Sequence, residues 1–171
     1  MARCYISIGS NIDRETNIPS SLRALKNHFG ELIISSTYES EAVGFSGDNF
    51  YNLVVGFDTE LDVKNVAKIL KQIELEHGRI RESKKFSART LDLDLLLYDD
   101  LIIEDGRLQI PRKEIEQYAF VLEPLSEIAP DSKHPISRLS YKELWQNLDK
   151  SNLKQARILP DWPLRNGDGI N

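Results

Sequence analysis

The run Arg89-Thr90-Leu91-Asp92-Leu93-Asp94-Leu95-Leu96-Leu97 constrains the fold more than any other part of this chain. Residues i and i+2 of a β-strand point to the same face of a sheet. A strand here therefore places Asp92 and Asp94 side by side and the odd-numbered leucines from 91 to 97 on the opposite face. Two adjacent carboxylates repel each other and are costly to desolvate. A hard divalent cation such as Mg²⁺ offsets that cost, because it prefers oxygen ligands and keeps waters for a phosphate-bearing substrate.

A cluster of cations precedes this strand. Residues 79–89 contain five Lys and Arg side chains and one Glu, although the chain as a whole carries a net charge of −5. The acidic balance gives no electrostatic footprint for nucleic acid or an anionic membrane surface. Mobile cations beside metal-binding carboxylates instead indicate a polyphosphate site.

The composition is that of a soluble globular domain. The chain has 171 residues, of which 40% are hydrophobic and 29% charged, and this predicts one domain with a sizeable core. The single cysteine, Cys4, excludes a disulfide within the chain and lies in an apolar run, so we expect it in the core. The sequence has no secretory signal pattern and no apolar stretch of membrane-spanning length, which predicts a cytoplasmic protein.

Strand and helix patterns alternate along the chain. Alternating or continuous apolar runs predict strands at 4–8, 31–38, 50–58 and 91–98. Apolar residues at helical spacing predict helices at 14–29 and 63–77, with Asp62 as an N-cap and glycines 30 and 78 as stops. Asp105-Gly106 indicates a hairpin within 99–113, helices follow within 118–128 and at 140–148, and the end from 160 is expected to be irregular.

This order predicts an α+β fold. A ferredoxin-like βαββαβ core has an antiparallel sheet with helices on both faces, and here a C-terminal helical extension follows it. We expect residues 1–171 to form a single domain, with 149–171 as a tail of unknown role. Many unrelated functions use this fold, so the function has to be argued from the site.

Four further segments accompany Arg89–Asp94: Ile8–Asn11, Phe50–Asn52, the helix end at 73–81 and Ala119–Leu125. In this order over residues 5–130, the five motifs resemble those of the 6-hydroxymethyl-7,8-dihydropterin pyrophosphokinase family of the folate pathway. Enzymes of that family transfer the βγ-pyrophosphoryl group of ATP to the hydroxymethyl group of the reduced pterin and release AMP. The resemblance therefore implies a diphosphotransferase with ATP and a reduced pterin as small-molecule substrates.

The resemblance also implies a role for the acidic strand. Asp92 and Asp94 would hold two Mg²⁺ ions that bridge the ATP phosphates, and Arg81 and Arg89 would contact those phosphates. This agrees with the reading of the acidic pair alone, because phosphoryl transfer depends on positioning and charge stabilisation more than on covalent chemistry.

Pterin-binding residues are implied in the same way. Phe50 and Phe120 would stack on the two faces of the flat ring, and Asn52 would read its polar edge, since an amide offers a donor and an acceptor in one plane. The segment from Ser40 to Val43 would line the site through backbone groups. Phe86, on the basic segment, would close over the pterin as part of a lid that excludes water.

Nucleotide-binding residues are spread over the second half of the chain. Arginine suits this role because its planar fork binds phosphate oxygens bidentately. The residues implied are Glu74, Arg81, Lys85, Arg89, Leu95, Arg107, Arg112 and Tyr118.

The chain departs from the family pattern at several positions. Ser87-Ala88 replaces the family's Gly-Pro before the signature arginine, which alters the backbone preferences of the lid. Arg112 replaces a histidine and Tyr118 replaces an arginine, so Arg112 would offset the lost phosphate-facing cation. The 40–48 loop also lacks the usual Thr-Pro. Except for this loop, the departures lie on the nucleotide side, and pterin recognition is better preserved.

Three readings follow from these residues. The leading one is the pterin pyrophosphokinase, expected to be a monomer with no nucleic-acid or membrane partner. A divergent paralogue could use the same metal and ATP site for a different pterin-like acceptor, and a non-catalytic paralogue could bind pterin alone. The three histidines do not cluster, so they predict no metal site and are interpreted as solvated or helix-end residues. Trp145 and Trp162 are expected to pack the C-terminal extension.

Overall fold

The computed structural model of the chain describes residues 1–41, 48–78, 91–160 and 162. In chain order its elements are β1 Ala2–Ser10, α1 Arg14–Phe29, β2 Ile33–Ile34, β3 Thr37–Ser40, β4 Phe50–Thr59, α2 Val63–Glu76, β5 Asp92–Tyr98, β6 Ile103–Asp105, β7 Leu108–Ile110, α3 Glu114–Gln117, α4 Ala119–Ile128, α5 Tyr141–Asn147 and β8 Gln155–Ile158. None of the described helices is both long and apolar enough to cross a membrane.

The main sheet has the predicted ferredoxin-like arrangement. Its strand order is β5-β1-β4-β3-β8, with β2 also beside β4, and every pairing is antiparallel. Strand β1 is therefore an interior strand, between β4 and β5. The predicted hairpin is also present, because β6 and β7 pair across Gly106, which has a φ of +62°.

Helices cover both faces of this sheet, as predicted. On one face α1 and α2 pack against the alternate residues Ile6 and Ile8 of β1, and Cys4 is fully buried among them as expected. On the other face α3, α4 and α5 pack against Tyr5 and Val54. Each strand of the middle layer thus sends alternate side chains into two separate hydrophobic clusters.

The helix ends follow the sequence signals. Asp62 caps α2, because its Oδ1 accepts a hydrogen bond from the backbone N–H of Asn65 at 2.8 Å. Helix α1 ends at Gly30, whose φ is +82°. Helix α5 begins at a capping box in which Ser140 and Glu143 exchange side chain to backbone hydrogen bonds.

Two strand predictions were wrong in detail. The predicted strand 31–38 is divided into β2 and β3 at Ser35, whose hydroxyl accepts the hydrogen bond of the Val54 N–H in place of a backbone carbonyl. In β5 the register with β1 shifts at Leu96, so that Ile6 pairs with Leu95 and Tyr5 with Leu97. Leu97 therefore packs in the cluster of α4, opposite Leu93 and Leu95, and not beside them as alternation predicted.

The C-terminal region also differs from the prediction. The extension is not purely helical, because β8 follows α5 and joins the sheet beside β3. His134, predicted to be solvated, is 2% exposed and packs near Tyr141. Trp145 borders the cluster of α4 and α5, whereas Trp162 lies in the cluster of α1 and α2 with its ring 6.1 Å from that of Tyr51.

Candidate active site

The central strand β1 brings three distant motifs together. Gly9 pairs with Asn52 of β4 on one side and with Asp92 of β5 on the other, and Ser7 pairs with Asp94. Residues directly opposite each other on neighbouring strands share a face. The two aspartates and Asn52 therefore lie on the same face of the sheet, and the backbones of Asp92 and Asn52 are two strand spacings, about 10 Å, apart.

Gly9 leaves room between these groups. A Cβ atom at this position would lie 3.2 Å from Asn52 Oδ1 and 3.9 Å from Phe50 Cδ1. Phe50 and Asn52 are two residues apart in β4, so both side chains lie on the same face of the sheet, beside Gly9 of β1. Asn52 is buried, and its Nδ2 donates a hydrogen bond to Ser40 Oγ at 2.7 Å, which fixes the orientation of the amide.

The two carboxylates of the acidic pair are close enough for the charge of Asp92 to act on Asp94. Burial, and next the neighbouring charge of Asp92, raise the pKa of Asp94 above its ordinary value, and Arg112 opposes this shift. An Nη atom of Arg112 lies 3.7 Å from Asp94 Oδ1, while its Nε donates a 2.9 Å hydrogen bond to Glu114. A half-buried carboxylate pair of this kind favours a bound cation.

The donor set fits Mg²⁺. Among the residues described, no three or more His, Cys, Asp and Glu side chains form a metal-binding group. Mg²⁺ does not need such a cage, because it is commonly bound by one or two carboxylates together with waters and substrate phosphates. Asp92 and Asp94 supply those two carboxylates on one face of β5.

A cavity of about 310 Å³ opens beside the acidic pair, between α2, β5 and the segment from Arg107 to Arg112. Of the residues predicted to bind nucleotide, Glu74, Leu95, Arg107 and Arg112 line this cavity, together with Asp94. Glu74 is buried, and its Oε2 accepts a 2.7 Å hydrogen bond from the Leu93 N–H, which fixes α2 against β5.

Two charged residues of this region were not identified from the sequence. Lys71 lines the cavity three residues before Glu74 on α2, so helical spacing could have indicated it. Glu114 holds the guanidinium of Arg112. No spacing rule applies to Glu114, because the contact depends on the turn that leads into α3.

The first turn of α4 carries the second predicted stacking residue. Phe120 is half-buried, and its ring stacks on that of Tyr118, with centroids 4.9 Å apart and an interplanar angle of 18°. Tyr118 was predicted on the nucleotide side, and the structure places it against Phe120. The remaining predicted site residues, Val43, Arg81, Lys85, Phe86 and Arg89, lie outside the described residues.

Comparisons with known proteins identify the family of this chain. The sequence model of the family 7,8-dihydro-6-hydroxymethylpterin-pyrophosphokinase (HPPK) matches residues 5–130. A 2-amino-4-hydroxy-6-hydroxymethyldihydropteridine pyrophosphokinase of Aquifex aeolicus is 37% identical over 145 residues, which are 84% of this chain and 90% of that protein. The protein of the same name from Methylorubrum extorquens is 33% identical over 160 residues, which are 91% of this chain and 99% of that protein. The one from Bacillus subtilis is 38% identical over 128 residues, which are 72% of this chain and 76% of that protein.

A solved structure shares the fold. The wild-type HPPK-DHPS of Plasmodium falciparum with pteroate superposes with a TM-score of 0.68 at 14% identity, over 85% of this chain. This chain spans 42% of that longer one, so the match concerns the architecture of one part of it. The sequence matches place the chain in the 7,8-dihydro-6-hydroxymethylpterin-pyrophosphokinase family, and its activity is that of a pyrophosphokinase of folate biosynthesis.

Proposed function

We propose that this site transfers the terminal pyrophosphoryl group of ATP to the hydroxymethyl group of 6-hydroxymethyl-7,8-dihydropterin, releasing AMP. One observation carries the proposal. The row Asp92–Gly9–Asn52 runs across three strands, with a cavity of about 310 Å³ beside Asp94 at its acidic end and a hydrogen-bonded amide at the other. Two substrates bound at these ends would meet over the acidic pair.

The cavity has the chemistry of a nucleotide site. Leu70, Leu93 and Leu95 give it an apolar wall suited to a purine ring, while Lys71, Arg107 and Arg112 supply cations for phosphate oxygens. Glu114 holds Arg112 toward Asp94, so one guanidinium lies where the phosphates would approach the acidic pair. The phosphate contacts of Arg81, Lys85 and Arg89 stay predictions from the motif.

Asp92 and Asp94 are the residues that would hold Mg²⁺. When bound there, the ions would screen the phosphate charge and stabilise the charge that develops on the transferring group. The number of ions, expected to be two from the family resemblance, stays a prediction.

The pterin would occupy the Asn52 end of the row. Asn52, held by Ser40, offers a donor and an acceptor to the polar edge of the ring, and Phe50 and Phe120 offer aromatic faces. Backbone groups at Val43 and closure by Phe86 stay predictions, as do the cytoplasmic location and the monomeric state. The alternatives are a different pterin-like acceptor or binding without transfer.

The first test is AMP formation from ATP, Mg²⁺ and 6-hydroxymethyl-7,8-dihydropterin by the wild type and by Asp92→Asn and Asp94→Asn. Each variant keeps the side-chain shape but removes a charged Mg²⁺ ligand, so we expect a loss of turnover of about 100-fold or more. Asp131→Asn, at an exposed position away from the site, serves as the matched control and should retain wild-type turnover.

Calorimetric titration of the pterin in parallel separates the alternatives. Pterin binding without AMP release would support the binding paralogue, and AMP release with another acceptor only would support the divergent enzyme. Near wild-type turnover in Asp94→Asn would contradict the metal assignment, whichever acceptor is used.

A further inference from the structure

The last described strand lies next to the pterin-binding residues. Strand β8 pairs with β3 in antiparallel register, so that Gln155 is opposite Ser40 and Arg157 is opposite Tyr38. Ser40 is the residue whose hydroxyl holds the amide of Asn52. The family match ends at residue 130, so neither it nor the family motifs assign a role to β8.

The side chain of Gln155 joins this sheet edge to α4. Its Nε2 donates a 3.0 Å hydrogen bond to the carbonyl of Ala119 and a 2.8 Å hydrogen bond to Glu123 Oε1. Ala119 immediately precedes Phe120, so a single half-buried amide fixes the turn of α4 that presents the Phe120 ring. The bond to Glu123 is charge-assisted and therefore among the stronger kind.

A second contact holds the same strand farther from the site. Arg157 donates a 3.2 Å hydrogen bond to Tyr38 Oη and lies 3.8 Å from Glu127, which also accepts the hydrogen bond of Tyr38. Arg157 therefore ties β8 to β3 and to the last part of α4. Gln155 and Arg157 both dock the strand, but only Gln155 contacts the turn beside Phe120.

These contacts form a continuous path between the two sides of the pterin site. It runs from Asn52 to Ser40 through a side-chain hydrogen bond, from Ser40 to Gln155 through strand pairing, and from Gln155 to Ala119 beside Phe120. We propose that Gln155 is a positioning residue for pterin, setting the separation between the Asn52 amide and the Phe120 ring. The inference rests on the proposed function, because it takes Asn52 and Phe120 to be the pterin-binding residues.

The test compares the dissociation constants of pterin and of an MgATP analogue, measured by calorimetry, in Gln155→Met and the wild type. Methionine keeps the length and bulk of the side chain but donates no hydrogen bonds. We expect pterin binding to weaken about 10-fold, since misplacement of a binding group by a fraction of an ångström is costly. The affinity for the nucleotide analogue should stay within about twofold, because the side-chain hydrogen bonds of Gln155 go to Ala119 and Glu123, and neither residue lines the nucleotide cavity.

Two further variants distinguish positioning from simple stabilisation. Gln146→Met makes the same change at an exposed position on α5 and should alter neither affinity. Arg157→Gln loosens β8 at its other contact, and we expect it to lower the melting temperature without selective loss of pterin affinity. If Gln155→Met instead weakens both ligands equally, in proportion to its lower melting temperature, the proposal is overturned.

Exchanging the hydrogen-bonding partners provides a rescue. Gln155→Glu should weaken pterin binding further, because it faces the Glu123 carboxylate and the Ala119 carbonyl with a second anion. Adding Glu123→Gln restores one donor–acceptor pair and should recover part of the affinity; no recovery would overturn the proposal. If Gln155→Met does not fold, the comparison of Gln155→Glu with the Gln155→Glu/Glu123→Gln double variant tests the proposal in its place.

Phe120→Ala and Asn52→Ala distinguish a failure of the proposed function from a failure of the role proposed for Gln155. If neither variant weakens pterin binding, the proposed function fails. If both do and Gln155→Met does not, the inference about Gln155 alone is overturned.

Discussion

Gly9 lies in β1 between Asn52 of β4 and Asp92 of β5. A Cβ atom there would approach Asn52 Oδ1 to 3.2 Å, which is tighter than ordinary van der Waals contact. The Asn52 side chain would have to move by a few tenths of an ångström, yet its Nδ2 is held by Ser40. A side chain at residue 9 would therefore displace the Asn52 amide from the position in which Ser40 holds it.

We expect Gly9→Ala to weaken pterin binding about 10-fold, which corresponds to about 1.4 kcal/mol, with a small change in the free energy of unfolding. Alanine is compatible with extended backbone and reduces the entropy of the unfolded chain, which offsets part of any strain. Calorimetric titration of the pterin and denaturant unfolding measure the two quantities.

Gly56→Ala is the matched control for that substitution. A Cβ atom at Gly56 would lie 2.7 Å from the Tyr5 ring in the buried core, so overpacking should cost about 1–3 kcal/mol of stability. Gly56 is four residues from Asn52 along β4, and pterin affinity of the folded variant should be retained. The role given to Gly9 would be contradicted if Gly56→Ala weakened pterin binding and Gly9→Ala lowered only the free energy of unfolding.

Local alternation predicted that Asp92 and Asp94 share a face, but it misplaced Leu97 and did not predict which partners these residues meet. The Asp92/Asp94 pair and the Asn52 amide could be identified because each breaks an apolar strand pattern. The Arg112–Asp94 contact could not, since the two residues are 18 apart and the hairpin β6–β7 determines their approach. The burial of His134 likewise depends on packing between α3 and α5, which no local pattern records.

At the scale of elements, Glu74 fixes α2 against β5. Its Oε2 accepts the hydrogen bond of the Leu93 N–H, between the two aspartates. Leu93 is 5% exposed, so water cannot replace a lost acceptor. The contact therefore positions the acidic strand relative to the helix that lines the nucleotide cavity.

We expect Glu74→Ala to lower the free energy of unfolding by about 1–3 kcal/mol, the cost of leaving a buried N–H without an acceptor. Glu74→Gln keeps a carbonyl oxygen at the same position and should cost less than Glu74→Ala. Glu76→Ala, at an exposed site two residues later, is the control and should change stability by less than about 0.5 kcal/mol. Equal losses in Glu74→Ala and Glu76→Ala, by urea unfolding, would contradict this role.

The sequence predicted elements with strong periodicity and missed those that depend on a partner. Helix α1 has the predicted bounds, because its apolar residues recur at helical spacing and glycine ends it. Strand β8 was missed, because its four residues have no buried alternation and are ordered by pairing with β3. The shift at Leu96 was also missed, since an extra residue in a continuous leucine run leaves the composition unchanged.

At the scale of the whole molecule, strand order accounts for the site. Residues 9, 52 and 92 become neighbours because β1 lies between β4 and β5. The ferredoxin-like prediction already contained this order, and it agrees with the assignment of motifs more than 80 residues apart to one site, which rested on the family resemblance. What it did not contain is strand β8 beside β3 and the burial of His134 near Tyr141.

We expect His134 to make the stability of the folded protein depend on pH. Its Nδ1 accepts hydrogen bonds from the backbone N–H groups of Ile136 and Ser137, and its Nε2 lies 3.2 Å from Glu116. This pattern requires a neutral ring with its proton on Nε2. Burial lowers the pKa of His134, and the nearby Glu116 opposes the shift only in part.

As the pH falls below about 6.5, the ordinary pKa of histidine, the unfolded chain therefore takes up a proton before the folded protein does. The contribution of His134 to the free energy of unfolding is present above that pH and is lost as the pH falls through this window. This single group can change the free energy of unfolding by at most about 1.4 kcal/mol per pH unit.

We expect His134→Asn to be less stable than the wild type at pH 7.5 and to approach it as the pH is lowered to 5. Asparagine can still accept hydrogen bonds from Ile136 and Ser137 but does not titrate. Asp94, whose pKa is raised, contributes a slope of opposite sign in both proteins, so the difference between their urea-unfolding curves isolates His134. His28→Asn, at an exposed position on α1, should leave the wild-type slope unchanged. A constant difference between His134→Asn and the wild type from pH 7.5 to 5 would show that His134 is not the titrating group.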